Sequence, residues 1–167
     1  MRWIRSTNIN NVDKTLSIEN QLVDNAGKVV AQFKYGDFDA QGNVVKTLTV
    51  DNAQLWSPET PYLYKLVTRL YRNNKLVDET TEKVGIRTVS VAQYDGFQLN
   101  GKSRKIKGVC LHHDLGPLGA AVNKAALIRQ IRTMKDMGCD AIRTAHNMPS
   151  TWQMEVCDSM GMMVMAE

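Results

Sequence analysis

The sequence predicts an all-β sandwich followed by a partial α/β segment, and two observations lead to this prediction. Residues 15–88 contain short runs of alternating apolar and polar residues, separated by turn signals and lacking a helical period. Beyond residue 97 the hydrophobic period changes, and strand-like and helix-like segments alternate. We therefore predict two domains, at residues 1–88 and 89–167.

The first domain begins with a predicted β-hairpin. Residues 15–23 alternate, with Leu16, Ile18 and Leu22 on one face, and residues 29–35 return after the turn at 24–27. Further strands are predicted at residues 44–50, 62–71 and 76–89.

The second domain shows the order strand, helix, strand, helix, strand. The pair Asn100-Gly101 predicts a hairpin ahead of these segments. Asn123 and Ser150 are predicted helix N-caps, and Gly138 and Gly161 are predicted to end the two helices. The predicted strands lie at residues 105–110, 139–143 and 162–166, the last without alternation, as expected of a strand buried on both faces. Such alternation predicts right-handed parallel units.

Composition excludes several classes of function. The net charge of +4 is spread over both halves, so neither a nucleic-acid nor a membrane partner is expected. The three cysteines form no close pair, which argues against a disulfide scaffold. No apolar run reaches the length of a membrane span, and Arg2 and Arg5 are not followed by an apolar stretch of the kind found in signal peptides.

The candidate site lies where the predicted parallel strands end, because functional groups of such folds gather beyond the carboxyl ends of the strands. The three strands lead, in order, to His112, His113 and Asp114, to Arg143, His146 and Asn147, and to Glu167.

Three side-chain expectations accompany this candidate site. As an alternative to a role in the site, Arg143 could pair with Asp114 or Asp140. The basic run 102–107 fits a solvated hairpin face, and Cys110 is expected to point toward the apolar side of its strand.

A metal or redox site is an alternative interpretation of these residues. A small α/β metal or redox protein could use Cys110, His112 and Cys139. The spacing of Cys110, His112 and His113 is not a standard zinc-ligand spacing. We therefore expect no metal and no cofactor.

Six motifs follow one another along the chain: residues 55–64 (LWSPETPYLY), 84–87 (VGIR), 96–102 (GFQLNGK), 107–114 (KGVCLHHD), 134–147 (MKDMGCDAIRTAHN) and 161–167 (GMMVMAE). In this order they resemble glycoside hydrolase family 2, and within that family they are most similar to bacterial β-galactosidase-like members. The resemblance implies an immunoglobulin-like sandwich followed by the start of a (β/α)8 TIM barrel.

The resemblance also implies a function, that of a retaining β-glycosidase which hydrolyses terminal β-glycosides. It implies that His112 and His146 line the sugar subsite, that Arg143 orients the pocket and its carboxylates, and that Asp114 and Asn147 contribute nearby. The expected partner is a β-galactoside-like carbohydrate. Two departures leave the sugar open: Cys110 stands where the family often has Asn, and Asn147 where it often has an aromatic residue.

The catalytic glutamates of the family come from later barrel strands, which places them downstream of Glu167. Glu155 is expected within the second helix, and Glu167 alone cannot supply both carboxylates. We therefore predict a fragment that is inactive alone and whose truncated barrel self-associates. The resemblance is compatible with a periplasmic or secreted bacterial parent. The alternative is a stand-alone carbohydrate-binding sandwich, for which Trp56 is the candidate aromatic platform, although it is expected to pack on the sandwich.

Overall fold

The computed structural model describes residues 2–7, 15–36 and 43–167, so the remaining positions of the predicted first domain lie outside the described residues. The chain forms two compact units. The first contains the residues up to Gln54 together with Leu63–Ile86, and the second contains Leu55–Tyr62 together with Arg87–Glu167. The segment Leu55–Tyr62 falls within the predicted first domain by position, yet it packs as part of the second unit.

The first unit is built from antiparallel strands in two sheets. The strands are β1 (Arg2–Thr7), β2 (Leu16–Val23), β3 (Val29–Tyr35), β4 (Asn43–Leu48), β5 (Tyr64–Arg72) and β6 (Lys75–Val84). One sheet pairs β1 with β4, and the other has the order β3-β2-β5-β6. The predicted hairpin is confirmed, since Ile18 lies opposite Tyr35 across β2 and β3.

The core face of β2 carries one polar residue among apolar ones. Ile18 and Leu22 are buried, as the alternation predicts, and the residue between them on the same face is Asn20, which has no solvent exposure. Its side-chain amide donates to the Tyr35 hydroxyl at 3.3 Å, and its side-chain carbonyl accepts from the Thr68 hydroxyl at 2.8 Å. These two bonds satisfy a polar group that burial would otherwise destabilise.

The second unit combines a small antiparallel sheet with a parallel one. Its elements are β7 (Val89–Ala92), β8 (Gly96–Leu99), β9 (Lys102–Ser103), β10 (Gly108–Leu111), α1 (Lys124–Asp136), β11 (Ala141–Thr144), α2 (Thr151–Met160) and β12 (Met163–Met165). Strands β7, β8 and β9 are antiparallel neighbours, and β10, β11 and β12 pair in parallel in that order. This parallel order, with two intervening helices, confirms the partial α/β segment that follows the sandwich strands.

The predicted helix caps are present. The Asn123 side chain accepts from the Ala126 amide at 3.0 Å, and the Ser150 hydroxyl accepts from the Gln153 amide at 3.2 Å. Gly161 ends α2 with a φ of +74°, a conformation in which a residue with a side chain is strained. In the described part of the chain, neither helix is long and apolar enough to cross a membrane.

The two helices cover one face of the parallel sheet. Val109, Leu111 and Ile142 pack with the buried side chains of α1 and α2, which include Leu127, Ile131, Val156 and Cys157. Strand residues alternate between faces. Cys110 is therefore on the opposite face, where it is exposed.

One expectation about this unit is wrong. Residues 162–166 were expected to be buried on both faces, but Met163 and Val164 are half-buried and Met165 is 60% exposed. Within the described residues β12 pairs with β11 alone, so its other edge is uncovered.

The basic run 102–107 is exposed except for Arg104, as expected of a solvated hairpin face. Arg104 forms ion pairs with Glu59 at 2.6 Å and with buried Asp140 at 2.8 Å.

Candidate functional site

The first strand of the parallel sheet delivers His112, His113 and Asp114 to the carboxyl-end rim. All three are exposed. The Asp114 carboxylate accepts from the Gly116 amide at 2.8 Å, so it stabilises the turn that follows the strand. A recess beside His112 and Asp114 encloses about 20 Å³, which is room for roughly one water molecule rather than a sugar.

The second strand carries Arg143, which lies opposite Cys110 in the parallel register. Both side chains project from the face that the helices do not cover, and an Arg143 guanidinium nitrogen lies 3.9 Å from the Cys110 sulfur. Arg143 forms an ion pair with the Glu167 carboxylate rather than with Asp114 or Asp140. The hydrogen bond with Glu167 is the main reason that the pKa of Arg143 is raised, and the contact with Cys110 is the next.

His146 follows β11 and adopts a backbone conformation that is unusual for a residue with a side chain, with a φ of +66°. Its amide donates to a Glu167 carboxylate oxygen at 2.9 Å, and its Nδ1 lies 3.1 Å from the same oxygen. The His146 ring is 6.1 Å from the His112 ring, centroid to centroid, with an interplanar angle of 63°. The ends of two neighbouring strands thus bring both histidines together.

Glu167 joins these groups. It follows β12, and its backbone amide donates to the hydroxyl of buried Thr144 at 3.3 Å. The backbone hydrogen bond from His146 and, next, the side-chain hydrogen bond from Arg143 lower the pKa of the Glu167 carboxyl. We define the rim cluster as His112, Arg143, His146 and Glu167.

The structure brings together three of the five predicted site residues. His112, Arg143 and His146 belong to the rim cluster, whereas Asp114 is engaged in its own turn and Asn147 is an exposed neighbour of His146. Sequence reasoning placed Glu167 at the end of a strand on the same rim but assigned it no role. The strand order could have indicated its place in the cluster. Met165 lies opposite Arg143 in the parallel register, so Glu167, two positions later, reaches the same edge of the sheet.

A cavity of about 530 Å³ adjoins Cys110 and Arg143. Its walls are mostly apolar and include Phe97, Ile106 and Met163. Within residues 2–7, 15–36 and 43–167 no three His, Cys, Asp or Glu side chains are grouped as ligands for a metal ion. The chemistry that the described rim offers is hydrogen bonding by imidazole, guanidinium and carboxylate groups.

Trp56 does not provide an aromatic platform for a sugar. It is 2% exposed, and within the second unit the Arg87 guanidinium lies 5.1 Å from its ring centroid. A stacking platform requires an accessible ring face. The alternative of a stand-alone carbohydrate-binding sandwich therefore loses its candidate residue.

Comparisons with known proteins cover both units. The model of the family described as Glycosyl hydrolases family 2 matches residues 4–87, and that of the Glycosyl hydrolases family 2 TIM barrel domain matches residues 89–167. A protein named Beta-galactosidase BoGH2A from Bacteroides ovatus is 45% identical over 163 residues, which is 96% of this chain and 19% of that protein. A Beta-glucuronidase from Felis catus is 35% identical over 158 residues, 90% of this chain and 23% of that protein.

A solved structure shows the same fold over nearly the whole chain. The crystal structure of a glycosyl hydrolase family 2 member from Bacteroides cellulosilyticus is 37% identical and superimposes with a TM-score of 0.89, covering 99% of this chain and 23% of that one. The chain thus spans about a fifth of the length of these relatives. With both halves of the sequence matched in order by the two models, the chain belongs to glycosyl hydrolases family 2.

Proposed function

We propose that this chain is the sandwich (residues 1–88) and the first part of the catalytic barrel (residues 89–167) of a larger retaining β-glycosidase. One observation carries the proposal: the rim cluster gathers two histidines, a guanidinium and a carboxylate at the carboxyl ends of successive parallel strands. That edge is where enzymes with this barrel bind their substrates. Relatives of the chain are named as a β-galactosidase and a β-glucuronidase, which supports a terminal β-glycoside as the substrate.

Each predicted residue has a role in this proposal. His112 and His146 hydrogen-bond to sugar hydroxyls, and Arg143 orients the pocket and its carboxylates. Asp114 and Asn147 line the pocket further out. Their exposure supports these roles, because the His146 side chain is 73% exposed and Asp114 and Asn147 are also accessible.

A neutral, β-galactoside-like sugar suits the cluster better than a glucuronide. The positive charge of Arg143 is compensated by Glu167, which accepts hydrogen bonds from it. A sugar carboxylate gains most from an uncompensated guanidinium, whereas hydroxyl groups bind well to imidazole and paired carboxylate groups. We therefore favour the β-galactoside.

The chain by itself is proposed to lack hydrolytic activity. Retaining hydrolysis requires two carboxyl groups about 5–5.5 Å apart, one as acid/base and one as nucleophile. Glu155 lies on α2 and pairs with Lys124 of α1 at 3.0 Å, in the helical layer rather than on the rim. Glu167 is held by Arg143 and His146.

A turnover assay with nitrophenyl β-galactoside and β-glucuronide tests this. We expect the 167-residue chain to release nitrophenol no faster than a blank without protein. Release clearly above that blank, lost in a Glu167→Gln variant but not in Glu155→Gln, would overturn the proposal of inactivity.

Sugar binding is tested separately by saturation-transfer NMR with galactose and glucuronate. We expect weak transfer to galactose that His146→Ala removes. Transfer that is equal in the wild type and His146→Ala would place the sugar elsewhere and contradict the assigned subsite.

Self-association of the isolated chain follows from the uncovered edge of β12. Met165 is largely exposed there, and the adjoining cavity is mostly apolar. A second copy would cover this surface. Sedimentation velocity should show a concentration-dependent dimer that Met165→Glu weakens, whereas a monomer at all concentrations would contradict the proposal.

A further inference from the structure

His146 is held in a backbone conformation that is unfavourable for a residue with a side chain. A φ of +66° is uncommon for a residue with a Cβ, and such conformations persist only where the surroundings determine them. The group that fixes this residue is Glu167, which accepts from the His146 amide at 2.9 Å and contacts its Nδ1 at 3.1 Å through one oxygen.

Glu167 is itself held by hydrogen bonds of both its side chain and its backbone. Its second carboxylate oxygen bonds to Arg143 of β11, and its backbone amide donates to Thr144, a buried residue of the same strand. One carboxylate therefore connects a side chain of β11 with the loop that follows β11. Displacing Glu167 would release both partners.

The contact with Nδ1 determines which nitrogen of His146 carries the proton. An ionised carboxylate has no proton to donate and can only accept. The pKa of Glu167 is lowered, chiefly by the backbone hydrogen bond from His146, so this carboxyl is ionised at neutral pH. Nδ1 must then be the donor, and in the neutral ring Nε2 is left as an acceptor.

We propose that Glu167 is a positioning residue that fixes His146 as the Nδ1–H tautomer and presents its Nε2 as the acceptor for a substrate hydroxyl. The substrate class, a sugar hydroxyl, rests on the proposed function. The tautomer and its cause do not, because they follow from contacts within the rim cluster. Glu167 acts through His146 and Arg143 and needs no contact with the reacting atoms.

The charged and titratable groups around Glu167 come from each neighbouring strand end. β11 contributes Arg143, and the loop after it contributes His146. β10 contributes Cys110, and the loop after it contributes His112. The test must therefore assign the His146 signal separately from that of His112. Variants His112→Gln and His146→Gln, each lacking one imidazole, supply that assignment.

Long-range ¹H–¹⁵N NMR spectra of the ¹⁵N-labelled 167-residue chain measure the tautomer directly. We expect His146 to be predominantly Nδ1–H in the neutral ring, because a charge-assisted hydrogen bond shifts a two-state ratio by about tenfold or more. In Glu167→Gln that ratio should fall by about tenfold, and exchange of the His146 amide proton should become about tenfold faster. The matched control Glu155→Gln removes a carboxylate from another ion pair and should change neither.

The wild-type spectrum tests the proposal even if Glu167→Gln does not fold. A His146 ring that is predominantly Nε2–H in the wild type overturns it, and so does an unchanged tautomer ratio in a folded Glu167→Gln. If the tautomer is Nδ1–H but galactose does not bind, the proposed function fails while the positioning role stands.

Discussion

Trp56 donates its indole N–H to the backbone carbonyl oxygen of Asp158 at 2.8 Å, across 102 positions of the sequence. Trp56 lies in the loop 55–62, and Asp158 lies on α2. The Trp56 carbonyl in turn accepts from the Asn100 side chain at 3.1 Å. A loop that lies between β4 and β5 of the first unit in sequence is thereby integrated into the second unit, where the large apolar ring of Trp56 is buried and its indole N–H is satisfied.

Truncation of Trp56 should destabilise the second unit strongly. We expect Trp56→Ala to lower its free energy of unfolding by about 3–5 kcal/mol, since it removes a large buried ring. Trp56→Phe retains most of the ring and should lose about 1–3 kcal/mol, because the Asp158 carbonyl is left without its donor. Urea unfolding combined with hydrogen exchange of α2 measures both values.

Trp152 provides the matched control, since it is 47% exposed. Trp152→Phe should change the free energy of unfolding by no more than about 0.5 kcal/mol. Equal losses at Trp56 and Trp152 would show that the buried indole is not a main contact of the second unit.

Asn20 should be essential to the first unit for its hydrogen bonds rather than its volume. Asn20→Ala leaves the hydroxyls of buried Tyr35 and half-buried Thr68 with fewer partners and should lower stability by about 2–3 kcal/mol. Asn20→Asp should lower stability more than Asn20→Ala does at pH 7, because burial raises the pKa of a carboxyl and penalises its charged form.

The pH dependence of Asn20→Asp has a defined sign. Its loss of stability should shrink as the pH is lowered and the buried carboxyl becomes protonated. Thermal unfolding of the wild type and the variant between about pH 4 and 8 measures this. Gln21→Ala, on the opposite face of β2, serves as the control, and a loss there equal to that of Asn20→Ala would contradict the prediction.

Two glycines that end helices should respond differently to alanine. Gly138 and Gly161 both have positive φ, of +89° and +74°, so each alanine should cost about 1–2 kcal/mol. At Gly161 a Cβ would also lie 2.4 Å from the Pro58 carbonyl oxygen, whereas at Gly138 it meets no atom within 4 Å. Calorimetry should therefore show a larger drop in melting temperature for Gly161→Ala, and equal drops would argue against the packing of Pro58 on α2.

The ion pairs of Arg104 should give the second unit a component of acid sensitivity. The side-chain hydrogen bond from Arg104 is the largest cause that lowers the pKa of Glu59 from 4.5 to about 2. A carboxyl whose pKa is depressed on folding stabilises the protein above its unfolded pKa, and that contribution is lost as the pH falls from 4.5 through about 2.

Arg104→Gln should flatten this part of the stability profile and lower stability at neutral pH, because buried Asp140 loses its cation. Thermal unfolding as a function of pH measures the difference from the wild type. Lys124→Gln removes the exposed pair with Glu155 and should have little effect. If Arg104→Gln lost stability at acid pH in the same way as the wild type, Glu59 would be excluded as the cause of the acid sensitivity.

Local patterns in the sequence determined the elements and their order. The alternation of Ile18 and Leu22, the caps at Asn123 and Ser150, and the helix end at Gly161 depend on contacts within a few residues, so they are visible in the sequence alone. The rule that parallel strands deliver polar groups to one rim then predicted the neighbourhood of His112 and His146.

Partners far apart in sequence were decided only by the tertiary structure. Asp114 and Asp140 were the predicted partners of Arg143, but the parallel register places Arg143 beside Met165 and hence near Glu167, with which it forms its ion pair. Likewise, nothing near Trp56 in the sequence indicates Asp158, and nothing near Arg104 indicates Glu59 and Asp140 together. Periodicity specifies which face a side chain occupies, but strand order, register and loop packing specify what it meets there.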